Sequence, residues 1–288
     1  MEHDPALPDH DHEHDRGLVH DLPTLLSRRR ALTTLFAGAG VVALAGCGGE
    51  SAGTGTAATS AAATSAAATS AAATATATAA AGTQIPQETA GPYPGDGSNG
   101  VNVLTESGIV RSDIRSSFGS ASAVAQGVPL TIKLTVLDTK NGSAALPGAA
   151  VYLWHCTIDG KYSLYSQGIT EENYLRGVQE TDSAGVVTFT SIYPAAYSGR
   201  WPHIHFEVYP SVAKATTASD KLRTSQLALP EDVCKLVYAT DGYSQSVQNL
   251  AQTSLSTDNV FSDGYSLQLA TVTGTVTAGL TATLNVPV

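Results

Sequence analysis

The sequence predicts an all-β fold, an antiparallel β-sandwich with a few short helices, and three observations lead to this prediction. Several short segments after residue 83 alternate apolar and polar residues, as strands with one buried face do. Turn-forming residues separate these segments at short intervals. No segment in this part of the chain has a long apolar period of 3.6 residues, so helices are expected to be minor.

The first predicted strands lie in the middle of the chain. Four aliphatic residues alternate with polar ones over 130–136, and a second strand at 149–154 follows a Pro-Gly turn. Residues 177–181 and 186–190 are joined by the short loop 182–185, which predicts a hairpin. These segments supply the alternation on which the sandwich prediction rests.

The second half of the domain continues the pattern. Aromatic and β-branched residues predict a strand at 201–209, and the Thr- and Val-rich stretch 267–288 has glycines at its turns. Short helices are expected at 218–227 and 231–238. The whole pattern is typical of an antiparallel sandwich.

Residues 1–46 are expected to be an export signal. Three arginines, Arg28 to Arg30, precede an apolar run at 35–44 that is shorter than the about 20 residues of a membrane-spanning helix. Such a run suits a signal-peptide core, and the paired arginines resemble a twin-arginine signal. Leu44-Ala-Gly-Cys47 resembles the lipobox of bacterial lipoproteins, which predicts that Cys47 is lipidated and that the protein meets the membrane only through this anchor.

Two further regions follow the signal. Residues 47–83 are almost entirely Ala, Ser, Thr and Gly, which predicts a flexible tether because few large apolar groups are available to offset ordering. Residues 84–288 are long enough for one domain with its own core. We therefore expect an exported, lipid-anchored or extracellular β domain.

Charge argues against a nucleic-acid partner. The formal net charge is −10, of which residues 1–46 carry −3, and no run of lysine or arginine occurs after residue 46. Cys156 and Cys234 are the two cysteines left once Cys47 is set aside. In an oxidising compartment this pair is a candidate disulfide, although two separate buried thiols would give the same pattern.

The His203-Ile204-His205 tripeptide is the strongest chemical signal. Five of the eight histidines lie before residue 21, so the domain keeps only these two and His155. In a strand, residues i and i+2 point to the same face, so both imidazoles can bind one metal ion. A pair of ordinary strand histidines is the alternative. His155 should face the side opposite to Trp154 and is interpreted as structural.

Tyrosines near these histidines offer further ligands. Tyr193 and Tyr197 lie shortly before His203, and Tyr162 follows a turn at Asp159-Gly160. Phenolate is a hard anionic donor once a highly charged cation displaces its proton. Two phenolates with two imidazoles would favour ferric iron over zinc. Most tyrosines in strands, however, are packing residues.

Seven stretches of the chain together resemble a known family, the intradiol ring-cleavage dioxygenases, and in particular its secreted branch. The stretches include Glu88-Thr-Ala-Gly-Pro-Tyr93, Val110-Arg-Ser-Asp-Ile114, Pro147-Gly-Ala-Ala-Val151, Leu175-Arg-Gly-Val-Gln179 and Tyr197-x-Gly-Arg-x-x-His-Ile-His-Phe206. This family includes catechol dioxygenases and protocatechuate 3,4-dioxygenase. The resemblance covers most of residues 84–288.

The resemblance implies an Fe(III) site and a set of residue roles. The implied iron ligands are Tyr162, Tyr197, His203 and His205. Tyr197, rather than Tyr193, matches the family's second ligand tyrosine, and by analogy Tyr197 and His203 would be the axial ligands.

Two further residues acquire implied roles. Arg200 matches an arginine that steadies negative charge on the substrate, and Gln226 matches a polar residue behind the ligands. Ala195, Ala196 and Trp201 depart from the family pattern, which leaves the shape of the pocket mouth and the preferred substrate open.

The implied reaction inserts both atoms of O₂ into a catechol and cleaves the ring between its two hydroxylated carbons, giving a muconate-type diacid. Two other classes of protein remain open at this stage. One is a non-catalytic β-sandwich binding lipoprotein, because Pro147-Gly-Ala-Ala-Val151 also resembles prealbumin-like modules. The other is a zinc or copper protein that uses His203 and His205 with a different third ligand.

Overall fold

Two β-sheets and two short helices make up residues 82–288, the part of the chain that the computed structural model describes, and this agrees with the predicted sandwich. The strands are β1 (Pro129–Asp138), β2 (Ala144–Ala145), β3 (Ala150–Trp154), β4 (Arg176–Glu180), β5 (Val186–Ile192), β6 (His203–Tyr209), β7 (Arg223–Ala228), β8 (Thr271–Thr275) and β9 (Gly279–Pro287). The helices are α1 (Glu231–Tyr238) and α2 (Ser244–Leu250). The predicted signal peptide, tether and Cys47 lie outside the described residues.

The first sheet is built around β1. Strands β2, β1, β9 and β8 follow one another in that order, and β5 also pairs with β1 in antiparallel register. The β1–β9 pair is parallel, an exception in a mostly antiparallel fold. Alternate residues of β1 are buried, including Leu130, Ile132, Leu134 and Val136, as the sequence predicts.

The second sheet, in the order β4, β3, β6, β7, is antiparallel throughout and carries the site described below. All seven residues of β6 are buried, so both of its faces are covered. One face, with Ile204, Phe206 and Val208, packs in the core between the sheets. The other face carries His203 and His205 and is covered by loops and by the segment that precedes β1.

The predicted hairpin of residues 177–181 and 186–190 is wrong in its pairing. The loop 182–185 does join two strands, but β4 pairs with β3 while β5 pairs with β1 in the other sheet. The connection therefore crosses from one sheet to the other. The same turn-forming residues occur in a hairpin loop and in a loop that joins two sheets. Only the pairing partners of the two strands distinguish the two arrangements.

One of the two predicted helices is confirmed and the other is wrong. Residues 231–238 form α1 with the predicted bounds. Residues 218–227 form a single helical turn at Ala218–Asp220 followed by β7, which pairs with β6 along six residues. Pairing with an exposed sheet edge satisfies the backbone of this segment better than an isolated short helix would. The helix α2 was not predicted.

The predicted disulfide between Cys156 and Cys234 is not formed, and both thiols are free and buried. Cys156 packs with Trp154 on the outer face of the second sheet, whereas Cys234 lies in the core between the sheets. The Cys234 Sγ lies 3.1 Å from the hydroxyl of Tyr193. Separate packing environments keep the two sulfur atoms from bonding. In the described residues, no helix has the length and apolar character needed to cross a membrane.

Candidate metal centre

Strand β6 brings the two histidines of the His-x-His motif together. The Nε2 atoms of His203 and His205 lie 3.0 Å apart, and the ring centroids are 4.6 Å apart. Each residue is only 2% exposed. The strand period of two therefore aims both Nε2 atoms at one buried point, as the sequence predicts.

Neighbouring groups fix the orientation of both imidazoles. The His203 Nδ1 lies 2.5 Å from the carbonyl oxygen of Trp201, so Nδ1 carries the proton and Nε2 keeps its lone pair. The His205 ring stacks on Trp154, its partner across the β3–β6 pair, at 4.9 Å and 5°. Burial lowers the pKa of both histidines well below 6.5, which keeps the rings neutral and able to bind a metal.

Two tyrosine rings from separate loops complete a group of four. The Tyr197 hydroxyl lies 3.2 Å from His203 Nε2. Tyr162, from the loop after β3, has its ring centroid 6.0 Å from that of Tyr197 and 6.2 Å from that of His205. Hereafter, the tyrosine–histidine cluster means Tyr162, Tyr197, His203 and His205.

A glycine turn allows the two tyrosine loops to approach each other. Gly160 has φ +81°, and a Cβ on it would lie 3.0 Å from the Cβ of Tyr197. The amide of Gly160 donates to the carbonyl of Thr157, which closes the turn that leads to Tyr162. Only glycine combines this backbone conformation with so close a contact.

Two buried polar atoms of the tyrosine–histidine cluster lack a hydrogen bond of regular geometry, the Tyr162 hydroxyl and His205 Nδ1. Burial raises the pKa of Tyr162 well above 10 and that of Tyr197 to about 12. Leaving a buried hydroxyl without a partner costs about 1–3 kcal/mol. A cation bound by the two phenolate oxygens and two imidazole nitrogens would offset this cost, so the residues present fit a metal ion.

The donor set also limits which ligands a metal could use here. Residues 82–288 contain no group of three or more His, Cys, Asp and Glu side chains arranged to hold a metal ion. A metal at the two histidines would therefore need the tyrosine oxygens. Oxygen-rich, anionic donors are typical of sites for hard, highly charged ions.

Arg200 lies beside the tyrosine–histidine cluster and is held by two side chains. Its Nη2 donates to Gln226 Oε1 at 2.7 Å, and its Nε donates to Asp258 Oδ2 at 2.9 Å. Gln226 pairs with His205 in the β6–β7 register and donates from Nε2 to the carbonyl of Thr89 at 3.0 Å. Arg200 and Gln226, both singled out from the sequence, thus lie together.

Sequence reasoning missed three residues of this region. Asp258 lies 58 residues after Arg200, in a turn without any sequence motif. Tyr93 packs against Tyr162 with the ring centroids 5.0 Å apart and the planes tilted by 35°, and a Cβ on Gly91 would lie 3.3 Å from Cε1 of His205. Gly91 and Tyr93 belong to the stretch Glu88 to Tyr93, whose resemblance to the family could have indicated them.

Other residues considered from the sequence are not members of the tyrosine–histidine cluster. His155 is buried, with Nε2 2.7 Å from the Ser191 hydroxyl, which agrees with its structural interpretation. Tyr193 lies in the core between the sheets. Trp201 is also buried there, and its indole donates to the carbonyl of Leu229. Ala195 and Ala196 are buried as well.

Comparisons with known proteins agree with the family indicated by the sequence motifs. Residues 117–232 match the sequence model of a family described as "Dioxygenase". This stretch contains all four residues of the tyrosine–histidine cluster, together with Arg200 and Gln226. A sequence search of curated proteins found no significant match.

Solved structures share the fold. An intradiol ring-cleavage dioxygenase from Tetranychus urticae is 23% identical, with a TM-score of 0.54 over 71% of this chain and 94% of that chain. A second dioxygenase crystal structure is 22% identical, with a TM-score of 0.56 over 71% and 93%. The dioxygenase domain of a carbohydrate-binding fusion protein from Streptomyces sp. SirexAA-E is 20% identical, with a TM-score of 0.46 over 72% and 98%. The first two structures thus show that this chain shares the β-sandwich fold of known dioxygenases.

Proposed function

Because this chain carries the dioxygenase family pattern on an intradiol dioxygenase fold, we propose that it is a non-haem Fe(III) enzyme that cleaves catechols. Both atoms of O₂ would enter the ring, the bond between the two hydroxylated carbons would break, and a muconate-type diacid would form. The observation that carries the proposal is the convergence of two imidazoles and two tyrosine rings on one buried point. Bound there, a ferric ion would act as a Lewis acid toward the two substrate oxygens.

The exposure of the four rings supports a division of roles among them. Tyr162, His203 and His205 are each 2% exposed, whereas Tyr197 is only partly buried. Tyr197 is therefore the ring of the four that an incoming substrate would reach first. As a phenolate, its oxygen would accept one of the two protons that the catechol gives up on binding, and Tyr162, His203 and His205 would be the residues left to hold the ion.

Arg200 supports charge stabilisation during the reaction. Its Nε and Nη2 are engaged by Asp258 and Gln226, and its Nη1 has no acceptor among residues 82–288. A fixed guanidinium beside the cluster would stabilise negative charge that develops on substrate oxygens, without reorganising as it forms. Trp154 and Tyr93, which pack on His205 and Tyr162, would exclude water from the buried side.

Oxygen uptake tests this proposal directly. The purified protein, loaded with iron and with bound iron quantified, would be mixed with catechol, protocatechuate and hydroxyquinol. We expect one O₂ to be consumed for each ring cleaved, with a product that absorbs as a muconate-type diacid. Protein that holds iron stoichiometrically and consumes no oxygen with any catechol would contradict the proposal.

The two rival functions give different results in the same preparation. A zinc or copper protein would be identified by metal analysis, and a zinc protein would also lack the broad visible absorption that phenolate bound to ferric iron produces. A binding lipoprotein would be colourless and free of metal. Zinc-loaded protein serves as the inactive control, because zinc can occupy nitrogen and oxygen ligands without this absorption.

We also propose that the domain is exported and tethered to a membrane through Cys47. The support is the sequence of the first 83 residues, with its arginines, short apolar run and Leu44-Ala-Gly-Cys47. Replacing Cys47 by alanine should release the protein from the membrane fraction. Retention of the variant in that fraction would contradict lipid anchoring.

A further inference from the structure

We propose that Asp258 is a positioning residue that fixes the guanidinium of Arg200 beside the tyrosine–histidine cluster. The inference rests on the proposed function, because Arg200 matters for the reaction only if a catechol is cleaved at the cluster. Asp258 lies outside residues 117–232, the stretch that matches the family model. Its role follows from contacts in the fold.

The first step is the ion pair itself. The Asp258 side chain is fully buried and the Arg200 side chain is only 13% exposed. Arg200 Nε lies 2.9 Å from Asp258 Oδ2, and Nη2 lies 3.4 Å from Oδ1. Two contacts along one edge of the guanidinium fix its plane as well as its distance, which a single contact would not do.

The second step is that the carboxylate is itself immobile. Asp258 Oδ2 also accepts from the amide of Trp201 at 2.7 Å. Asp258 Oδ1 accepts from the amides of Val260 and Phe261 at 2.8 and 3.2 Å. Three backbone amides thus fix the position of the Asp258 carboxylate, which in turn binds Arg200. One of them, Trp201, is the residue next to Arg200 on the way into β6.

The third step is that one nitrogen of the guanidinium, Nη1, is left without a protein acceptor in the described residues. Gln226 occupies Nη2 from β7, which leaves Nη1 without an acceptor in the described part of the chain. The amide of Arg200 also donates to the carbonyl of Tyr197 at 3.4 Å, and Gln226 lies opposite His205 in the β6–β7 pair. Asp258 and Gln226 therefore hold the guanidinium next to Tyr197 and His205, two members of the tyrosine–histidine cluster.

A double-mutant cycle separates positioning from simple structural support. Asp258→Asn keeps the size of the side chain and one oxygen acceptor but loses the charge and the second acceptor. It would be made alone and with Arg200→Ala, and Asp263→Asn, an exposed position in the same region, is the control. Readouts are kcat, KM, bound iron, the dissociation constant for 4-nitrocatechol, and denaturant unfolding of iron-free protein.

Positioning predicts coupling between the two substitutions. Asp258→Asn should lower kcat by about 10- to 100-fold with bound iron unchanged, since misplacing a reacting-site group by about 1 Å can cost 100-fold. In the Arg200→Ala background the same change should alter kcat less than about 3-fold, because coupled groups are not additive. Asp263→Asn should behave as wild type.

Two results would overturn the inference. One is an equal fold-loss of kcat from Asp258→Asn in both backgrounds, which would mean that Asp258 only stabilises the 258–261 turn. The other is an unchanged kcat in Asp258→Asn with Arg200 intact. If the wild type cleaves no catechol, the proposed function fails, and the unfolding cycle then decides: coupling supports the positioning of Arg200, and additivity rejects it.

Discussion

One hydroxyl group of the tyrosine–histidine cluster destabilises the metal-free protein, because it is buried without a hydrogen bond of regular geometry. The Tyr162 hydroxyl is buried and lacks a hydrogen bond of regular geometry. The hydroxyl of Tyr152, also fully buried, donates to the carbonyl of Pro94 at 2.7 Å. The two tyrosines therefore differ in whether the fold itself uses their oxygen, and this difference is the one expected between the proposed ligand Tyr162 and a packing residue.

Replacing Tyr162 by phenylalanine should lower bound iron without destabilising the iron-free protein. The change removes an unpartnered hydroxyl, so the free energy of unfolding should stay the same or rise by up to about 1 kcal/mol. Tyr152→Phe is the matched control and should lose about 1–3 kcal/mol while keeping its iron. Urea unfolding and metal analysis measure both effects. A large loss of stability in iron-free Tyr162→Phe would contradict this account.

Replacing Arg200 by alanine should lower turnover far more than iron content. The side chain acts on charge beside the cluster and is not among the four proposed ligands. Removing a fixed donor of this kind typically costs about 100- to 1,000-fold in kcat. Steady-state oxygen uptake and metal analysis on the same samples check this. Parallel losses of iron and activity would instead indicate that Arg200 maintains the metal site.

At the scale of elements, a segment before β1 covers the outer face of the second sheet. The amide of Glu88 donates to the carbonyl of Thr224 in β7, and Gln226 donates to the carbonyl of Thr89. The segment then passes over His205 at Gly91. This cover explains why every residue of β6 is buried, although only alternate residues face the core between the sheets.

Replacing Gly91 by alanine should disturb the metal site, whereas Gly119→Ala should not. Both glycines have φ +71°, so both substitutions incur the same backbone strain, about 1–2 kcal/mol. A Cβ on Gly91 would lie 3.3 Å from Cε1 of His205, while one on Gly119 would meet nothing within 4 Å. Bound iron and kcat should fall in Gly91→Ala alone. Equal behaviour of the two variants would show that only backbone strain matters.

Arg176, in β4, joins the loop that carries Tyr162 to the covering segment. It is 1% exposed, and its Nη2 donates to the carbonyls of Tyr93 and Ser163, both at 2.9 Å. Its Nη1 donates to the carbonyl of Pro94 at 2.9 Å. Carbonyls from two loops thus replace the carboxylate that usually accompanies a buried cation.

Replacing Arg176 by methionine should destabilise the domain by about 2–4 kcal/mol, because several buried carbonyls would lose their donor. Arg176→Lys is the control and should lose less, since an ammonium keeps the charge and part of the donors. Urea denaturation of iron-free protein measures the difference. A methionine variant as stable as the wild type would mean that water replaces the guanidinium in these contacts.

For the whole molecule, stability comes from the core between the two sheets and does not depend on a covalent bridge. Cys156 and Cys234 are free and lie in separate clusters. Thiol reductant should therefore leave the thermal unfolding midpoint unchanged. A missing disulfide would otherwise cost about 2–5 kcal/mol. A fall of several degrees in reductant, measured by calorimetry, would show that the two sulfurs bond in solution.

Local patterns predicted much of this molecule. The alternation over 130–136 gave the buried face of β1, and the helix at 231–238 has the predicted bounds. The spacing of His203 and His205 predicted their shared face, because a strand alternates its side chains every residue. Partners distant in sequence were not predictable in this way. The helix predicted at 218–227 is wrong because residues 223–228 become a strand by pairing with β6.

The sequence by itself determined which side chains share a strand face, because the backbone period needs only neighbours in the chain, and its motifs indicated the family. Tertiary structure alone decided that Asp258 meets Arg200, that β4 and β5 lie in different sheets, and that Cys156 and Cys234 stay apart. Such contacts depend on the packing of segments tens of residues apart. Packing is a property of the assembled core, and no local pattern encodes it.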